Sequence, residues 1–163
     1  MSTGTMTPEQ GGTAEPRPII PALAPFYSFA RDISYPIIRA TVGGTLLVHG
    51  IVKLMGPPIS VFAQQSMAKR GIEPAMLIAS IVWINETIGA VCVILGLFTR
   101  FFAASIAIEM AVITFLVFFP HGYSFTVAGG GWEYPLLWGF IFFAIALRGG
   151  GPYSLDRKLG WEL

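Results

Sequence analysis

Four long apolar stretches, separated by short polar, glycine-rich or proline-rich breaks, dominate the pattern of the chain. They cover residues 35–54, 75–97, 101–119 and 132–147. Each is close to the length of about 17 to 25 residues that an α-helix needs to cross a bilayer. Pro57 and Pro58 follow the first stretch, Pro74 precedes the second and Gly149 follows the fourth, as is typical of residues that begin or end helices. The pattern predicts an all-α fold, a bundle of four transmembrane helices.

The connections between these helices differ in length and character. Thr99 and Arg100 leave only a very tight turn between the second and third helices, so we expect these two helices to be adjacent and antiparallel. The 55–74 connection is longer and mixes apolar residues such as Phe62 with polar ones, and Gly71 is placed as a helix C-cap. We therefore expect a short amphipathic helix between the first two spans.

Residues 1–34 differ from the rest of the chain. The opening MSTGTMTPEQGGTAEPRP has neither the basic region nor the apolar core of a signal peptide. Its Gly, Pro and Thr content is typical of a disordered tail. Residues 19–34 are apolar but broken by Pro21 and Pro25, so we expect them to lie in the membrane interface. The sequence thus divides into a disordered or interfacial extension, 1–34, and a four-helix transmembrane domain, 35–163.

Composition supports a lipid bilayer as the surroundings of the chain. Of the 163 residues, 54% are hydrophobic and only 12% are charged, and the mean hydropathy is +0.68. One core of a soluble domain this size cannot hold so much apolar surface. The net charge of +1 gives no reason to expect a nucleic-acid partner. The single cysteine, Cys92, rules out an intrachain disulfide, and no metal site is predicted.

The basic residues predict the orientation. Four spans would place both termini on one side of the membrane, with these basic residues: Arg17, Arg31, Arg100, Arg148, Arg157 and Lys158. The other side would hold Lys53, Lys69 and Arg70. Because basic residues are enriched on the cytoplasmic side, we expect a multi-pass protein of a bacterial-type cytoplasmic (inner) membrane with both termini in the cytoplasm.

Several charged residues fall inside the predicted spans, where such residues are costly and usually functional. Glu86 and Glu109 lie near the middle of the second and third spans, and His49 lies about 6 Å outward of the first midpoint. Two carboxylates facing each other at low dielectric cannot both be ionised. They need a cation, a proton or a ligand as partner.

Helical periodicity predicts which way these side chains point. In the first span one face carries Arg39, Gly43, Leu46, Gly50 and Lys53, with His49 at its shoulder. In the second span, Glu86 shares a face with small residues that allow close helix packing. The pattern therefore predicts a polar site inside the bundle.

Structural alternatives stand beside this interpretation. Lys53 and Arg39 could snorkel to the interfaces, and His49 could hydrogen-bond a carbonyl in the core. Glu133 could stabilise the start of the fourth helix by interacting with its dipole. Glu86 and Glu109 could fix helix register as a charged pair.

Four motifs in order resemble the DoxX family of membrane proteins. They are Arg39-x9-His49-Gly50-x2-Lys53-Leu54, ETIGAVCVILGLFTR at 86–100, GGWEYPLLW at 130–138 and GGGPYSLDRKLG at 149–160. The resemblance implies a four-helix integral membrane protein, and the better understood relatives are membrane subunits of oxidoreductase systems. It makes Glu86, Glu109 and His49 candidates for a proton relay, and Arg39, His49, Lys53 and Glu133 candidates for a polar site that binds a quinone.

Three classes of function remain open. The first is a quinone-linked redox subunit, in which quinone is the candidate cofactor. The others are a non-catalytic accessory or scaffold subunit and a small ion or solute carrier. The chain has no catalytic motif and no electron carrier of its own, so protein partner subunits or a homo-oligomer are expected. A haem held by His49 and His121 is disfavoured, because their depths differ by about 10 Å.

Overall fold

The computed structural model describes residues 16–163, and within them all regular structure is helical. The α-helices are α1 (Ala24–Leu54), α2 (Ile59–Phe62), α3 (Ala75–Ile84), α4 (Ala90–Leu95), α5 (Thr99–Val112), α6 (Glu133–Arg148) and α7 (Leu155–Leu159). Three π-helical segments continue α2, α3 and α5; they are Ala63–Met67, Asn85–Gly89 and Ile113–Phe118. A 3-10 turn, Pro21–Leu23, precedes α1. The predicted disordered tail lies mostly outside the described residues.

Within residues 16–163, three continuous helices are long and apolar enough to cross a membrane. They are Pro21–Leu54, Ala75–Leu95 and Thr99–His121. Many large apolar side chains on their outer faces are exposed, for example Val52, Ile108 and Phe115, as expected where lipid rather than water surrounds the protein. The all-helical membrane-spanning architecture is therefore confirmed.

The first helix starts earlier than predicted. α1 begins at Ala24 rather than Tyr35, and Pro25 occupies its first turn, where the missing N–H of proline has no intrahelical partner in any case. Pro36 lies inside the helix. The prolines that argued against a helix over these residues are therefore accommodated.

The connection between α1 and α3 is a short helix, which we call the connecting helix, 59–70. It runs through α2, the π-helical segment Ala63–Met67 and a 3-10 turn, Ala68–Arg70. Its outer residues, such as Gln64 and Lys69, are exposed, and Ala63 is buried. Gly71 ends it at φ 72°, a left-handed conformation that glycine adopts without strain. The predicted surface helix and its C-cap are confirmed.

The centre of the bundle is an apolar core where α1, α4, α5 and α6 meet. Its buried members are Tyr35, Val42, Leu46, Ala90, Val93, Ala103, Ile106, Met110, Phe142 and Ile145. The inward face predicted for α1 is also confirmed, since Arg39, Gly43, Leu46 and Gly50 are all buried.

Close approach of α1 to the second spanning helix depends on Gly50. A Cβ added there would lie 2.7 Å from the Glu86 carbonyl carbon and 2.8 Å from Thr87 Cγ2. By contrast, a Cβ added at Gly44 would meet no heavy atom within 4 Å. Gly50 therefore sets the distance between the two backbones next to Glu86.

The end of the bundle opposite this contact, which we call the C-terminal end, is tied together by Asp156 on α7. The fully buried Asp156 carboxylate accepts hydrogen bonds from Phe98 N (2.8 Å), Thr99 N (2.9 Å) and Thr99 Oγ1 (2.6 Å). It thereby caps the start of α5. Nearby, Arg100 donates to Glu162 at 2.8 Å and holds the pKa of that carboxyl below its ordinary value.

Replacing Gly50 by alanine should destabilise the protein by about 1–3 kcal/mol, because the added methyl overpacks a backbone contact. Gly44→Ala is the matched control and should be neutral or slightly stabilising, since alanine favours the helix. Thermal unfolding of both variants in one detergent, followed by circular dichroism, measures the difference. Equal stability of the two variants would contradict the close approach at Gly50.

Candidate functional site

A groove of about 520 Å³ lies between α1, the connecting helix, the second and third spanning helices and α6. Most of its lining is apolar or aromatic, including Leu46, Phe62, Met110, Phe118 and Trp138. The ionisable side chains that line it are His49, Lys53, Arg70, Glu86 and Tyr134. A concave apolar slot with a few convergent polar groups is the usual form of a small-molecule site.

The main polar feature of the groove is an ion pair between two helices. Lys53 Nζ, near the end of α1, donates a hydrogen bond to Glu86 Oε2 on the π-helical segment Asn85–Gly89. The exposed fraction of the side chain is 24% for Lys53 and 5% for Glu86. The ammonium also lies 5.7 Å from the centre of the Phe62 ring, a favourable cation–π distance. The pair therefore links α1, the second spanning helix and the connecting helix.

Behind this ion pair lies a second buried carboxyl. Glu109 on α5 is 7% exposed, and its Oε2 accepts a hydrogen bond from Asn85 Nδ2 at 2.9 Å. Asn85 Oδ1 in turn accepts from Ser105 Oγ at 3.0 Å. Glu109 Oε1 is buried without a hydrogen-bond partner among residues 16–163. Glu86 and Lys53 are close enough for their charges to act on Glu109, so the three groups form one electrostatic unit.

All three π-helical segments of the described chain border the groove. Ser66 and Met67 line it from the first segment, Glu86 from the second, and Ile113, Val117 and Phe118 from the third. Single-turn π segments are rare and occur frequently at functional sites. Their coincidence at one cavity is independent support for this groove as the candidate site.

His49 also borders the groove, although it takes no part in the ion pair. Its ring lies 6.2 Å from that of Trp138 in an edge-on arrangement. Within residues 16–163 it forms no hydrogen bond to the protein. Its ring nitrogens are therefore free to bond to a molecule in the groove.

The predicted site residues do not all come together. Lys53, Glu86 and His49 line the groove, and Glu109 lies directly behind Glu86. Arg39 lies about 21 Å from Lys53 along α1. It is at the C-terminal end, where its Nη2 donates to the Tyr153 carbonyl at 3.1 Å. The long Arg39 side chain bonds to backbone carbonyls at that end and does not approach Glu86 or Glu109.

Glu133 also differs in surroundings from the buried glutamates. It begins α6, and its Oε2 accepts from Phe125 N at 3.3 Å in the preceding loop. This contact orders the loop that carries Phe125, Gly130 and Gly131 to the rim of the groove. Glu133 is thus placed to shape the rim.

Sequence reasoning missed Asn85, Ser105 and Trp138. Asn85 precedes Glu86 directly, and a polar amide in the middle of an apolar span was the available signal. Ser105 lies four residues before Glu109 on α5, so both residues share one helix face. Trp138 ends the motif GGWEYPLLW, but it was given no role because the residues around it, 135–147, are apolar.

A second groove, of about 610 Å³, runs between α5 and α6. Small residues such as Ala107 and Gly139 line it, and the ionisable group at its border is Arg100. The Arg100 guanidinium already donates to Glu162 and to the carbonyls of residues 146–148. The groove at Lys53 and Glu86 is therefore the stronger candidate, because its polar groups retain free hydrogen-bonding capacity.

Comparison with known proteins identifies a family and a relative of the chain. The DoxX family model matches residues 35–121, a range that contains Lys53, Glu86 and Glu109. An uncharacterized protein of Haemophilus influenzae is 32% identical over 126 residues, which are 74% of this chain and 87% of the relative. No solved structure matches the chain.

Removing either partner of the Lys53–Glu86 ion pair should destabilise the protein more than removing a partner of the exposed Arg100–Glu162 pair. We expect Lys53→Met and Glu86→Gln each to lower the free energy of unfolding by about 1.5–3 kcal/mol, the usual contribution of a hydrogen bond to a charged group. The double variant should lose less than the sum of the two, because neither partner is left alone. Denaturant unfolding of the four proteins in one detergent measures the coupling energy.

The Arg100–Glu162 pair supplies the control cycle, since both side chains are more than a third exposed. Its coupling energy should stay below about 1 kcal/mol. A coupling energy for Lys53 and Glu86 no larger than this would show that their contact is not a buried interaction.

Proposed function

Because the chain belongs to the DoxX family, we propose that it is a quinone-binding membrane subunit of a redox system, with the quinone head group held in the groove beside Lys53 and Glu86. One observation carries the proposal. The groove combines apolar and aromatic walls with hydrogen-bond donors and a buried carboxylate at a single place.

The residues present suit a quinone. A flat aromatic head group needs an apolar slot, and Trp138, Phe62 and Tyr134 supply aromatic surface around it. A carbonyl oxygen needs a donor, and the Lys53 ammonium has N–H groups beyond the one bonded to Glu86. His49 can donate to a second carbonyl oxygen, since its ring forms no hydrogen bond to any residue that the structure describes. When bound, a quinone would supply reversible electron transfer coupled to protons.

The roles of the protein groups follow from their positions. Lys53 and His49 orient the head group, and Glu86 and Glu109 hold or pass protons at the floor of the groove. Val82 and Pro135 add apolar surface to the lining, and polar interactions are stronger in such low-dielectric surroundings than in water. Electrons must come from a partner, because the sequence has no cluster, flavin or haem motif.

The topology proposed for this function has four spans. α6 is 16 residues long, slightly short for a bilayer of ordinary thickness, and would form the fourth span with the residues that flank it. The side holding the C-terminal end carries most of the basic residues. It is therefore assigned to the cytoplasm of a bacterial-type inner membrane, and the groove opens toward the outer side.

Gentle purification of the full chain from native membranes, with mass spectrometry of bound small molecules and co-purifying proteins, tests this function. We expect a co-purified quinone, reduced at least tenfold by Glu86→Gln. Glu162→Gln is the matched control, because it removes an exposed carboxyl far from the groove, and it should retain the quinone.

Two other results would overturn the redox proposal. A stable protein complex without a small ligand would indicate an accessory subunit whose buried charges fix helix packing. Quinone retained equally by both variants would show that it is bound elsewhere on the protein.

A further inference from the structure

The cluster behind the groove contains one cation and two carboxyls within a span. Lys53 contributes the cation, Glu86 its bonded partner, and Glu109 the second carboxyl. With both carboxyls ionised, the cluster would carry a net negative charge inside the bilayer, a state that low dielectric makes very costly. One bound proton removes that charge.

The surrounding groups do not offer another neutralising partner. From α1, His49 borders the groove without a bond to either glutamate, and from the connecting helix Arg70 donates to the Ser66 carbonyl at 2.7 Å. From α6, Tyr134 lines the groove and Glu133 bonds to the loop. From α5, Ser105 bonds to Asn85. Among the described side chains, only Lys53 forms an ion pair with either buried carboxyl.

Hydrogen bonding distinguishes the two carboxyls. Glu86 accepts a charge-assisted hydrogen bond from the Lys53 ammonium. Glu109 accepts from the neutral amide of Asn85, no cation bonds to it, and its Oε1 forms no hydrogen bond by distance and angle among residues 16–163. A carboxylate without a counter-charge at this depth is unfavourable, whereas a protonated carboxyl carries no charge and its O–H can donate to the neighbouring Glu86 carboxylate.

We propose that Glu109 holds a stored proton on Oε1 at neutral pH, so that the Lys53–Glu86–Glu109 cluster has no net charge and is a proton-binding site. The proton is added to the carboxylate without any other bond changing. The number of protons bound is then set by the number of cations in the cluster.

Asn85 and Ser105 act as positioning residues for this proton. Ser105 Oγ donates to Asn85 Oδ1, and Asn85 Nδ2 in turn donates to Glu109 Oε2. Oε2 is thereby occupied as an acceptor, and Oε1 is left as the site of protonation, next to Glu86. The inference goes beyond quinone binding and does not depend on it, since it concerns the charge of the protein without a ligand.

Infrared spectroscopy of the full chain in a detergent that contains no ester carbonyl tests the stored proton, because protonated carboxyls have a carbonyl-stretch band separate from those of carboxylates. At neutral pH the wild type should show such a band, and Glu109→Gln should abolish it. Glu162→Gln is the control and should leave it unchanged, because the Glu162 carboxyl is exposed, bonded to Arg100 and has a lowered pKa.

Two further variants test whether charge balance sets the number of protons. Glu86→Gln should also abolish the band, because Glu109 must then ionise to balance Lys53. Lys53→Met should about double the band area, because both carboxyls then become neutral. Ser105→Ala should shift the band without removing it, since Asn85 would lose the bond that orients it.

Each opposite result overturns the proposal. A wild-type band that survives Glu109→Gln places the proton on another residue. A band that survives Glu86→Gln, or that is unchanged in area in Lys53→Met, shows that the cluster is not held at zero net charge. The outcome is independent of whether quinone co-purifies, so the two proposals can fail separately.

Discussion

The inability of a bilayer to solvate charge governs the arrangement of this molecule. A charged side chain within a span must find its partners inside the protein, and Lys53 finds Glu86 on the neighbouring helix. That pairing requires the α1 backbone to pass directly against the backbone at Glu86. Gly50 permits this because a side chain there would overlap the next helix. The ion pair and the glycine are thus two parts of one contact.

The C-terminal end meets the same constraint in a different way. There Asp156 and Arg39 are almost completely buried, yet they bond mainly to backbone groups. Asp156 satisfies the free N–H groups at the start of α5, which would otherwise be unbonded near the membrane surface. Gly96 is at φ 69° and leaves room for the Arg39 guanidinium. The charged groups at this end therefore satisfy backbone hydrogen-bonding groups and hold α7 against the spanning helices.

The features that were predictable from sequence are those set by helical period. The inward face of α1, the connecting helix and the Gly71 cap follow from local pattern, and the structure confirms them. The start of α1 was not predictable, because prolines in a first helical turn look the same as prolines that break a helix. The π-helical segments and the bond from Asn85 to Glu109 depend on packing between helices, which no local pattern contains. The position of Arg39 along α1 did not predict its partners, because its long side chain bonds to backbone carbonyls at the C-terminal end rather than to the buried glutamates.

Unused hydrogen-bonding capacity separates the two polar clusters. At the C-terminal end both carboxylate oxygens of Asp156 are bonded. Arg39 Nε is the exception there, since it has no partner among residues 16–163, but Arg39 does not border the groove. At the groove, Lys53 has spare N–H groups, and within the described part of the chain His49 forms no hydrogen bond and Glu109 Oε1 lacks a partner. A cluster that only held helices together would gain stability by satisfying these groups. Their presence beside a cavity of about 520 Å³, bordered by three π-helical turns, is what favours a ligand site over a purely structural role.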